Sequence, residues 1–362
     1  MKINLKQLSK DELALFIVKL GEKPYRVGQI ISWIYKMYAV SFDEMTNLSK
    51  ELREKLKDKS VISNLTIINK IMDSAGTVKF LFGLHDGESV ESVLIPNIHG
   101  KGKYTLCISS QVGCALKCAF CRTGRLGLKR NLRAYEIIDQ VISLERYLKE
   151  NSKSDNTMHD ITNIVLMGMG EPLNNFREVN EALWKLITVM RYSKRRITLS
   201  TAGIVPKIAE LGLKGPGVNL AVSLNATTDK SRSSIMPVNK TYPLKKLLDA
   251  CRTYPLQHGR MITFEYVLIG GLNDSDEDAI RLISLLKGIS AKVNLIPCNN
   301  SDNESLKRPE EKRVSKFHDI LSEAGIPVMV RKSMGSDISA ACGQLKASHN
   351  RLLKSSSRKQ FK

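Results

Sequence analysis

The sequence lacks any long apolar run. A membrane-spanning helix needs about 20 consecutive apolar residues, whereas the longest apolar run near the N-terminus, Leu13 to Val18, has only six. We therefore expect no membrane-spanning segment, no membrane partner and no cleaved signal peptide.

Cysteine is also scarce, with seven residues in a chain of 362. A secreted disulfide framework pairs its cysteines, so a small odd number favours the reducing cytoplasm. The chain is 42% hydrophobic and 25% charged. That composition is typical of a globular protein with one large domain and a smaller one.

Acidic residues are too few to balance the basic ones. There are 36 Asp and Glu against 56 Lys and Arg, which gives a net charge of +20. Such a surplus favours a polyanionic partner, nucleic acid before membrane, although a merely solubilising surface is the alternative. Residues 122–135 contain no acid at all, and their basic side chains are candidates for phosphate contacts. These are Arg122, Arg125, Lys129, Arg130 and Arg133.

The feature that is present most distinctly is a group of three cysteines, Cys114, Cys118 and Cys121, at C-x₃-C-x₂-C spacing. The next cysteine downstream is far away, at Cys251. Three thiolates can hold three irons of a [4Fe–4S] cluster and leave the fourth iron open to another ligand. A structural zinc ion would need a fourth, distant ligand. Three unrelated buried thiols are a further alternative.

The residue pattern divides the chain into four parts. Residues 1–60 have apolar residues at helical spacing and predict a helical accessory domain, with helices near 9–20, 26–38 and 41–59. Residues 61–97 are rich in β-branched residues and turn signals, which predicts a small antiparallel β extension. Residues 98–345 alternate strand and helix patterns. Residues 346–362 form a basic tail that we expect to be flexible.

The alternating part predicts βα units around a parallel sheet, in the form of an incomplete (β/α)₆ barrel. The fold class is therefore α/β. The predicted strands are Tyr104–Ser109, Ile161–Gly168, Arg196–Ser200, Val218–Leu224, Met261–Leu268 and Lys292–Pro297. The three cysteines follow the first strand at its carboxyl end, where βα loops build active sites.

Other candidate site residues stand at the ends of the predicted strands. Glycines such as Gly170 let the backbone approach a ligand, and the carboxylate of Glu171 can accept a hydrogen bond from an amino group. Each polar strand-end residue alone could be a simple cap or turn residue, but together they are candidates for binding ribose and adenine. This group comprises Ser200, Ser223, Leu224, Asn225 and Asn299.

Two further cysteines and one glutamate are less clear from the pattern alone. Cys107 lies on the first strand, and Cys342 lies among small residues that would leave its sulfur accessible. Free cysteine is most often a small buried hydrophobe, the interpretation we give Cys251 and Cys298. Glu91 lies on the last strand of the β extension, where an isolated glutamate usually faces solvent.

These motifs together resemble the RlmN/Cfr family of radical S-adenosylmethionine (SAM) RNA methyltransferases over nearly the whole chain. The matching segments are 25–29, 107–111, 114–121, 168–172, 293–297 and 341–345. The likeness is closer to the RlmN branch, because Pro172 follows Glu171 and Leu94-Ile95-Pro96 follows the strand of Glu91. The chain departs from the family in a longer loop between Pro96 and Cys107, in Cys298 and in the basic tail.

The resemblance implies methylation at C2 of adenine, in adenosine 2503 of 23S rRNA and adenosine 37 of tRNA, with two SAM per turnover. It implies a [4Fe–4S] cluster on Cys114, Cys118 and Cys121, and SAM contacts from Gly170, Glu171, Ser200, Ser223, Leu224, Asn225 and Asn299. It also implies that Cys342 carries the methyl group and that Cys107 later forms a disulfide with it. Glu91 would be the proton acceptor, a role for which Cys107 is the alternative. A flavodoxin-type electron donor and a monomeric state are expected.

Three other functions remain open from the sequence. A Cfr-like enzyme would place the methyl group on C8 of the same adenosine. Another radical SAM enzyme would share the cluster but would not need Cys107 and Cys342. A non-enzymatic RNA-binding protein would use the clustered cysteines for zinc.

Overall fold

The computed structural model describes residues 2–97, 102–151, 160–299 and 306–331, together with 335, 338–340 and 343–345. The N-terminal part is helical, as predicted. It contains β1 (Ile3–Asn4), α1 (Lys10–Lys19), α2 (Arg26–Tyr35), α3 (Lys50–Lys59) and β2 (Ser60–Val61). Strands β1 and β2 pair in parallel and bring the two ends of this part together.

Side-chain caps set the helix boundaries in this part. Ser9 and Glu12 form a reciprocal capping box at the start of α1. The prediction of one helix over 41–59 is wrong. A short 3₁₀ helix covers Phe42–Glu44, and α3 begins only after Ser49, whose hydroxyl accepts from the backbone N–H of Leu52. The caps at Ser41 and Ser49 therefore divide residues 41–59 into two helices, where the apolar spacing predicted one.

Three antiparallel strands follow, β3 (Thr66–Met72), β4 (Val78–Gly83) and β5 (Ser89–Pro96). They are continuous with the main sheet, because β5 pairs in antiparallel fashion with β6 (Tyr104–Cys107). This connection places Glu91 and Cys107 on adjacent strands. The alternation of residue types could not show it, because it does not reveal which strand edges meet.

The main sheet has ten strands, in the order β14-β13-β12-β11-β10-β9-β6-β5-β4-β3, and β6 and β9–β14 run parallel to one another. Helices connect the parallel strands, as predicted. The later elements are α5 (Ala134–Asn151), β9 (Ile161–Leu166), α6 (Phe176–Thr188), β10 (Ile197–Thr201), α7 (Val205–Lys214), β11 (Asn219–Ser223), α8 (Asp229–Ile235), α9 (Leu244–Arg252), β12 (Ile262–Leu268), α10 (Asp276–Leu286), β13 (Ala291–Pro297), α11 (Glu311–Glu323) and β14 (Val328–Val330).

A short ribbon interrupts the first βα unit. Strands β7 (Gln111–Gly113) and β8 (Leu128–Asn131) pair in antiparallel fashion, and the loop between them carries the three cysteines and the one-turn helix α4 (Arg122–Arg125). The ribbon holds the cysteine loop over the carboxyl ends of the parallel strands, where open α/β sheets bind their ligands.

Helices cover the parallel strands, so the strand interiors are apolar and fully buried. Leu199, Leu220 and Phe264 each have at most 1% of their surface exposed. Among the described residues, no helix combines the length and the apolar character that crossing a bilayer requires.

Candidate active site

A cavity of about 180 Å³ opens at the carboxyl ends of the parallel strands. Most of the predicted cluster and SAM residues line it. They are Cys114, Cys118, Cys121, Gly170, Glu171, Ser200, Ser223, Asn225 and Asn299. Residues separated by almost 190 positions in sequence therefore share one cavity, because parallel strands end at the same edge of the sheet.

The cysteine loop is fixed at its base by the ribbon. Gly113 has a φ of +78°, and a Cβ added there would lie 1.9 Å from the carbonyl oxygen of Gly127. Only glycine can occupy this position without moving the facing strand. The N–H of Cys114 donates to that same carbonyl at 3.0 Å, and the N–H of Cys121 donates to the carbonyl of Cys118 at 3.1 Å.

Two of the three thiols, Cys114 and Cys118, do not ionise readily in the absence of a cation. Burial raises the pKa of Cys114 to about 11, and the neighbouring Cys121 and Glu171 add to this effect. Burial also raises the pKa of Cys118 well above the usual range, reinforced by Cys121 and Cys114. A bound cationic centre would reverse this balance, since a coordinating thiol is deprotonated outright.

The donor set fits a [4Fe–4S] cluster. The described part of the chain contains no three His, Cys, Asp or Glu side chains close enough to hold a single metal ion. The three thiols nevertheless line one cavity. A cluster takes one thiolate on each of several irons, so it tolerates this wider spacing better than a single zinc ion does.

The Gly-rich turn after β9 packs tightly against β6 and β7. A Cβ at Gly168 would lie 2.7 Å from the backbone of Ile108, and a Cβ at Gly170 (φ +101°) would lie 2.6 Å from the side chain of Gln111. Gln111 accepts at 2.8 Å from the N–H of Glu171. The glycines therefore allow the close approach that fixes Glu171 at the cavity wall.

Glu171 is 3% exposed, and its carboxylate accepts from the N–H of Leu173 at 3.1 Å and of Ala202 at 2.7 Å. Burial raises its pKa to about 7, and these hydrogen bonds oppose the rise. Glu171 lines the cavity. Near neutral pH it is present partly in the protonated form and partly in the ionised form. It binds a charged ligand amino group more strongly when it is ionised, because the hydrogen bond is then charge-assisted.

The end of strand β11 and the two residues after it place two of the three predicted SAM-binding residues at the cavity, but not the third. Ser223 and Asn225 line it, whereas Leu224 does not and is fully buried. The left-handed Asn225 (φ +60°) accepts from the N–H of Val267 at 2.8 Å. The backbone groups of Leu224 are both paired within the protein: its carbonyl accepts from Nε of Arg232 at 2.9 Å, and its N–H donates to the carbonyl of Glu265 at 3.0 Å.

Sequence reasoning missed Glu265, a buried glutamate on β12 that lines the cavity and is 5% exposed. Its Oε1 accepts from Asn294 at 3.0 Å, but its Oε2 is buried and has no hydrogen-bond partner. Burial raises the pKa of this carboxyl, while Arg331 opposes the rise. A buried, unpaired oxygen on a residue that lines a cavity fits a ligand that brings a hydroxyl donor, such as the ribose of SAM.

Glu91 and Cys107 do not line the cavity, but they share one face of the sheet beside it. Cys107 pairs with Val93, two residues from Glu91, so the side chains of Glu91 and Cys107 point to the same side. Both residues are buried. Nζ of Lys79 lies 3.5 Å from Oε1 of Glu91.

Cys342 lies outside the described residues, as does the tail 346–362, but residues on both sides of Cys342 are described. Nζ of Lys79 donates to the carbonyl of Ser339 at 3.2 Å, and Nη1 of Arg122 donates to the hydroxyl of Ser339 at 2.9 Å. The N–H of Arg122 also donates to the carbonyl of Gly343. The flanking residues are therefore bound both to the face that carries Glu91 and to the helix that follows Cys121.

The basic residues near the cysteines differ in availability. Arg130 forms a two-pronged ion pair with the buried Glu136 and another with Asp86. Arg133 lies 3.6 Å from Glu178. Arg125 and Lys129 are exposed and form no ion pair with any described residue, so these two remain the better candidates for phosphate contacts.

Comparison with known families matches two parts of the chain. Residues 3–62 match the ribosomal RNA large subunit methyltransferase N-terminal domain, and residues 108–283 match the radical SAM superfamily. The second match contains the cysteine loop and most of the cavity wall.

Whole-chain comparisons agree with the family matches. The chain is 49% identical to the dual-specificity RNA methyltransferase RlmN of Pelobacter propionicus, over 95% of this chain and 96% of that protein. It is 48% identical to the protein of the same name in Geobacter sulfurreducens, over 99% and 96%. The fold is similar to a radical SAM methyltransferase from Sphaerobacter thermophilus, with a TM-score of 0.88, 43% identity and coverage of 96% of this chain and 100% of that one.

Proposed function

Because this chain belongs to the RlmN family of radical SAM RNA methyltransferases, we propose that it methylates C2 of adenine, in adenosine 2503 of 23S rRNA and adenosine 37 of tRNA. One observation carries the proposal. Three cysteines and the buried Glu171 line one cavity at the strand ends, beside a sheet face that carries Glu91 and Cys107.

Within the cavity, the side chains divide into two sets. Cys114, Cys118 and Cys121 would hold a [4Fe–4S] cluster, which together with SAM supplies a 5′-deoxyadenosyl radical when bound. Glu171 would accept from the SAM amino group, beside the close backbone at Gly170. The adenosyl part would contact Ser200, Ser223, Asn225, Asn299 and the orphaned oxygen of Glu265.

The reaction needs a methyl group carried by the protein, because the target carbon cannot be methylated by SAM directly. C2 of adenine is electrophilic, so it cannot attack the methyl group of SAM as a nucleophile does. By family resemblance, the thiolate of Cys342 takes a methyl group from one SAM and becomes a thioether. Transfer of a hydrogen atom from that methyl group to the 5′-deoxyadenosyl radical would leave a carbon radical, which adds to C2 and joins protein to RNA.

Release of the product would use the two buried groups on the sheet face. The radical adduct would return one electron to the oxidised cluster and give its C2 proton to Glu91. The sulfur of Cys107 then attacks the sulfur of Cys342, so that a disulfide forms as the carbon–sulfur bond breaks. The electron pair of that bond stays on the carbon, which takes a proton to complete the methyl group. A thiol reductant must reopen the disulfide before the next turnover.

Partners follow from the same scheme. RNA would approach over the cavity, where the exposed Arg125 and Lys129 can contact phosphates. A one-electron donor such as a flavodoxin-type protein would reduce the cluster, and the enzyme would act as a monomer.

A denaturing gel of each cysteine variant after anaerobic reaction with labelled RNA tests the proposed roles. Cys107→Ala should accumulate a covalent protein–RNA adduct that nuclease removes, whereas Cys342→Ala should form neither adduct nor methylated RNA. Cys251→Ala is the control, because Cys251 is buried in α9 away from the cavity. Normal product formation by Cys107→Ala or Cys342→Ala would contradict that residue's role.

Mass spectrometry of digested RNA, with 2-methyladenosine and 8-methyladenosine standards, tests the position of methylation. We expect 2-methyladenosine only. The C8 product would assign the chain the Cfr-like reaction instead, and unmodified RNA from cluster-loaded enzyme supplied with SAM and reductant would contradict the proposed function.

A further inference from the structure

The most deeply buried cation beside the cavity is Arg232, on α8. It has no exposed surface. Its guanidinium donates four hydrogen bonds, all to uncharged oxygens. They run to the carbonyls of Leu224 (2.9 Å), Ala202 (2.7 Å) and Ser223 (3.1 Å) and to Oδ1 of Asn239 (3.0 Å).

Arg232 keeps its charge although no described carboxylate forms an ion pair with it. Asp229, a carboxylate that acts on it, is exposed and accepts from Asn239 and from the N–H of Leu244. Burial lowers the pKa of Arg232 to about 10, and Cys118 and Asp229 oppose the fall. The guanidinium is therefore still protonated near neutral pH. A buried charge without a counter-charge is costly, so the fold would gain from an anion nearby.

The end of α8 lies against the cysteine loop. The carbonyl of Ile235, one turn after Arg232, accepts from the N–H of Ala119 at 2.8 Å, and Ala119 follows Cys118 directly. Met236 lines the same cavity as the three cysteines. Two of the carbonyls that bind the guanidinium belong to Ala202 and Ser223, and both residues line the cavity that contains the three cysteines. The buried charge therefore lies beside the site of the predicted cluster.

We propose that Arg232 is the buried counter-charge that stabilises the reduced state of the cluster held by Cys114, Cys118 and Cys121. Reduction adds one electron from an external donor and no proton, so the cluster becomes one unit more negative. A fixed positive charge beside it stabilises that state more than the oxidised one and raises the reduction potential. Arg232 is a positioning residue in this role, because it neither binds iron nor touches the reacting atoms. The inference rests on the cluster in the proposed function, but not on the RNA chemistry.

A redox titration of the reconstituted protein, followed by electron paramagnetic resonance without RNA, tests this role. Arg232→Gln should make cluster reduction at least tenfold less favourable, which is about 59 mV for one electron. Arg232→Lys keeps the charge and should restore the potential to within about threefold of the unmodified protein. Asn239→Ala removes one hydrogen-bond acceptor without changing charge, so its potential should stay unchanged although its packing is altered.

A second variant covers the case in which Arg232→Gln does not retain iron. Asn239→Asp places a carboxylate against the guanidinium and offsets its charge while Arg232 stays in place, so the potential should fall as in Arg232→Gln. An unchanged potential in iron-loaded Arg232→Gln, or in Asn239→Asp, overturns the proposal. So does an equal shift in Arg232→Lys and Arg232→Gln. If the unmodified protein binds no cluster, the proposed function itself fails, and the two failures are thereby distinguished.

Discussion

Glu171 is a single buried side chain that we expect to couple ligand binding to pH. Its pKa of about 7 results from burial, which the N–H groups of Leu173 and Ala202 only partly offset. Protonation of Glu171 favours the folded state over the unfolded state, because the pKa is higher in the folded state. This stabilisation is fully present below the ordinary pKa of glutamate and is lost as pH rises through about 7. A charged ligand amino group would have the opposite preference, since the ionised carboxylate attracts it more strongly.

We predict that SAM binding weakens as pH falls through about 7, because Glu171 becomes protonated. Glu171→Gln should remove the part of the pH dependence that comes from Glu171. The variant should also bind SAM about tenfold or more weakly, because a hydrogen bond to a charged group contributes about 1.5–3 kcal/mol. Anaerobic equilibrium dialysis at about pH 6 and pH 8 measures both effects. The amino group of SAM titrates with the unmodified protein and with the variant alike. The contribution of Glu171 is therefore the difference between the two proteins in the slope of SAM affinity against pH. Equal slopes at full iron content would contradict the assignment.

Glu265 gives a prediction in which stability and binding change in opposite directions. Its Oε2 is buried without a partner, which costs stability in the empty site and is relieved by a ligand hydroxyl. Glu265→Gln should therefore not lower the melting temperature of the SAM-free protein, yet it should weaken SAM binding about tenfold. A SAM analogue that lacks the 2′-hydroxyl serves as the matched ligand. If the variant discriminates between the two ligands as well as the unmodified protein does, Glu265 does not contact that hydroxyl.

At the scale of elements, the sequence predicted most of the long strands and helices but missed the short ones that frame the site. The ribbon of β7 and β8 and the seven-residue α8 are too short to show a period. Cys114 and Glu171 could be predicted because a motif surrounds them. Arg232 and Glu265 could not, since nothing local separates a buried arginine on a short helix or a buried glutamate on a strand from an exposed one.

Strand β4 offers a test of how the sheet face is linked to the residues around Cys342. Nζ of Lys79 bridges the carboxylate of Glu91 and the carbonyl of Ser339. Lys79→Met should leave 5′-deoxyadenosine production intact but slow product release, so that the covalent adduct accumulates. Lys79→Arg keeps the charge and should retain most of the turnover. Adduct levels in Lys79→Met that match those of the unmodified protein would show that the bridge plays no part in release.

At the scale of the whole molecule, a buried ion pair joins the two regions that match different families. Lys6 lies in the first region and Asp139, on α5, in the second. They are 0% and 1% exposed, and their side chains lie 2.5 Å apart. Nζ of Lys6 also donates to the carbonyl of Ser63, and the hydroxyl of Ser63 donates to the other oxygen of Asp139. Lys6 and Asp139 are thus bound to each other, and each is also hydrogen-bonded to Ser63.

Removing one partner of such a pair should cost far more than removing both. Lys6→Met leaves Asp139 buried without its counter-charge, and we expect a loss of about 3–5 kcal/mol in the free energy of unfolding. The double variant Lys6→Met with Asp139→Leu should recover most of that loss, because no unpaired charge remains. Urea denaturation of the cluster-free proteins measures both values. The exposed pair Lys245 and Asp249 is the control, and its disruption should cost at most about 1 kcal/mol. If the double variant were as unstable as Lys6→Met alone, loss of packing between the two regions, rather than an unpaired charge, would explain the cost.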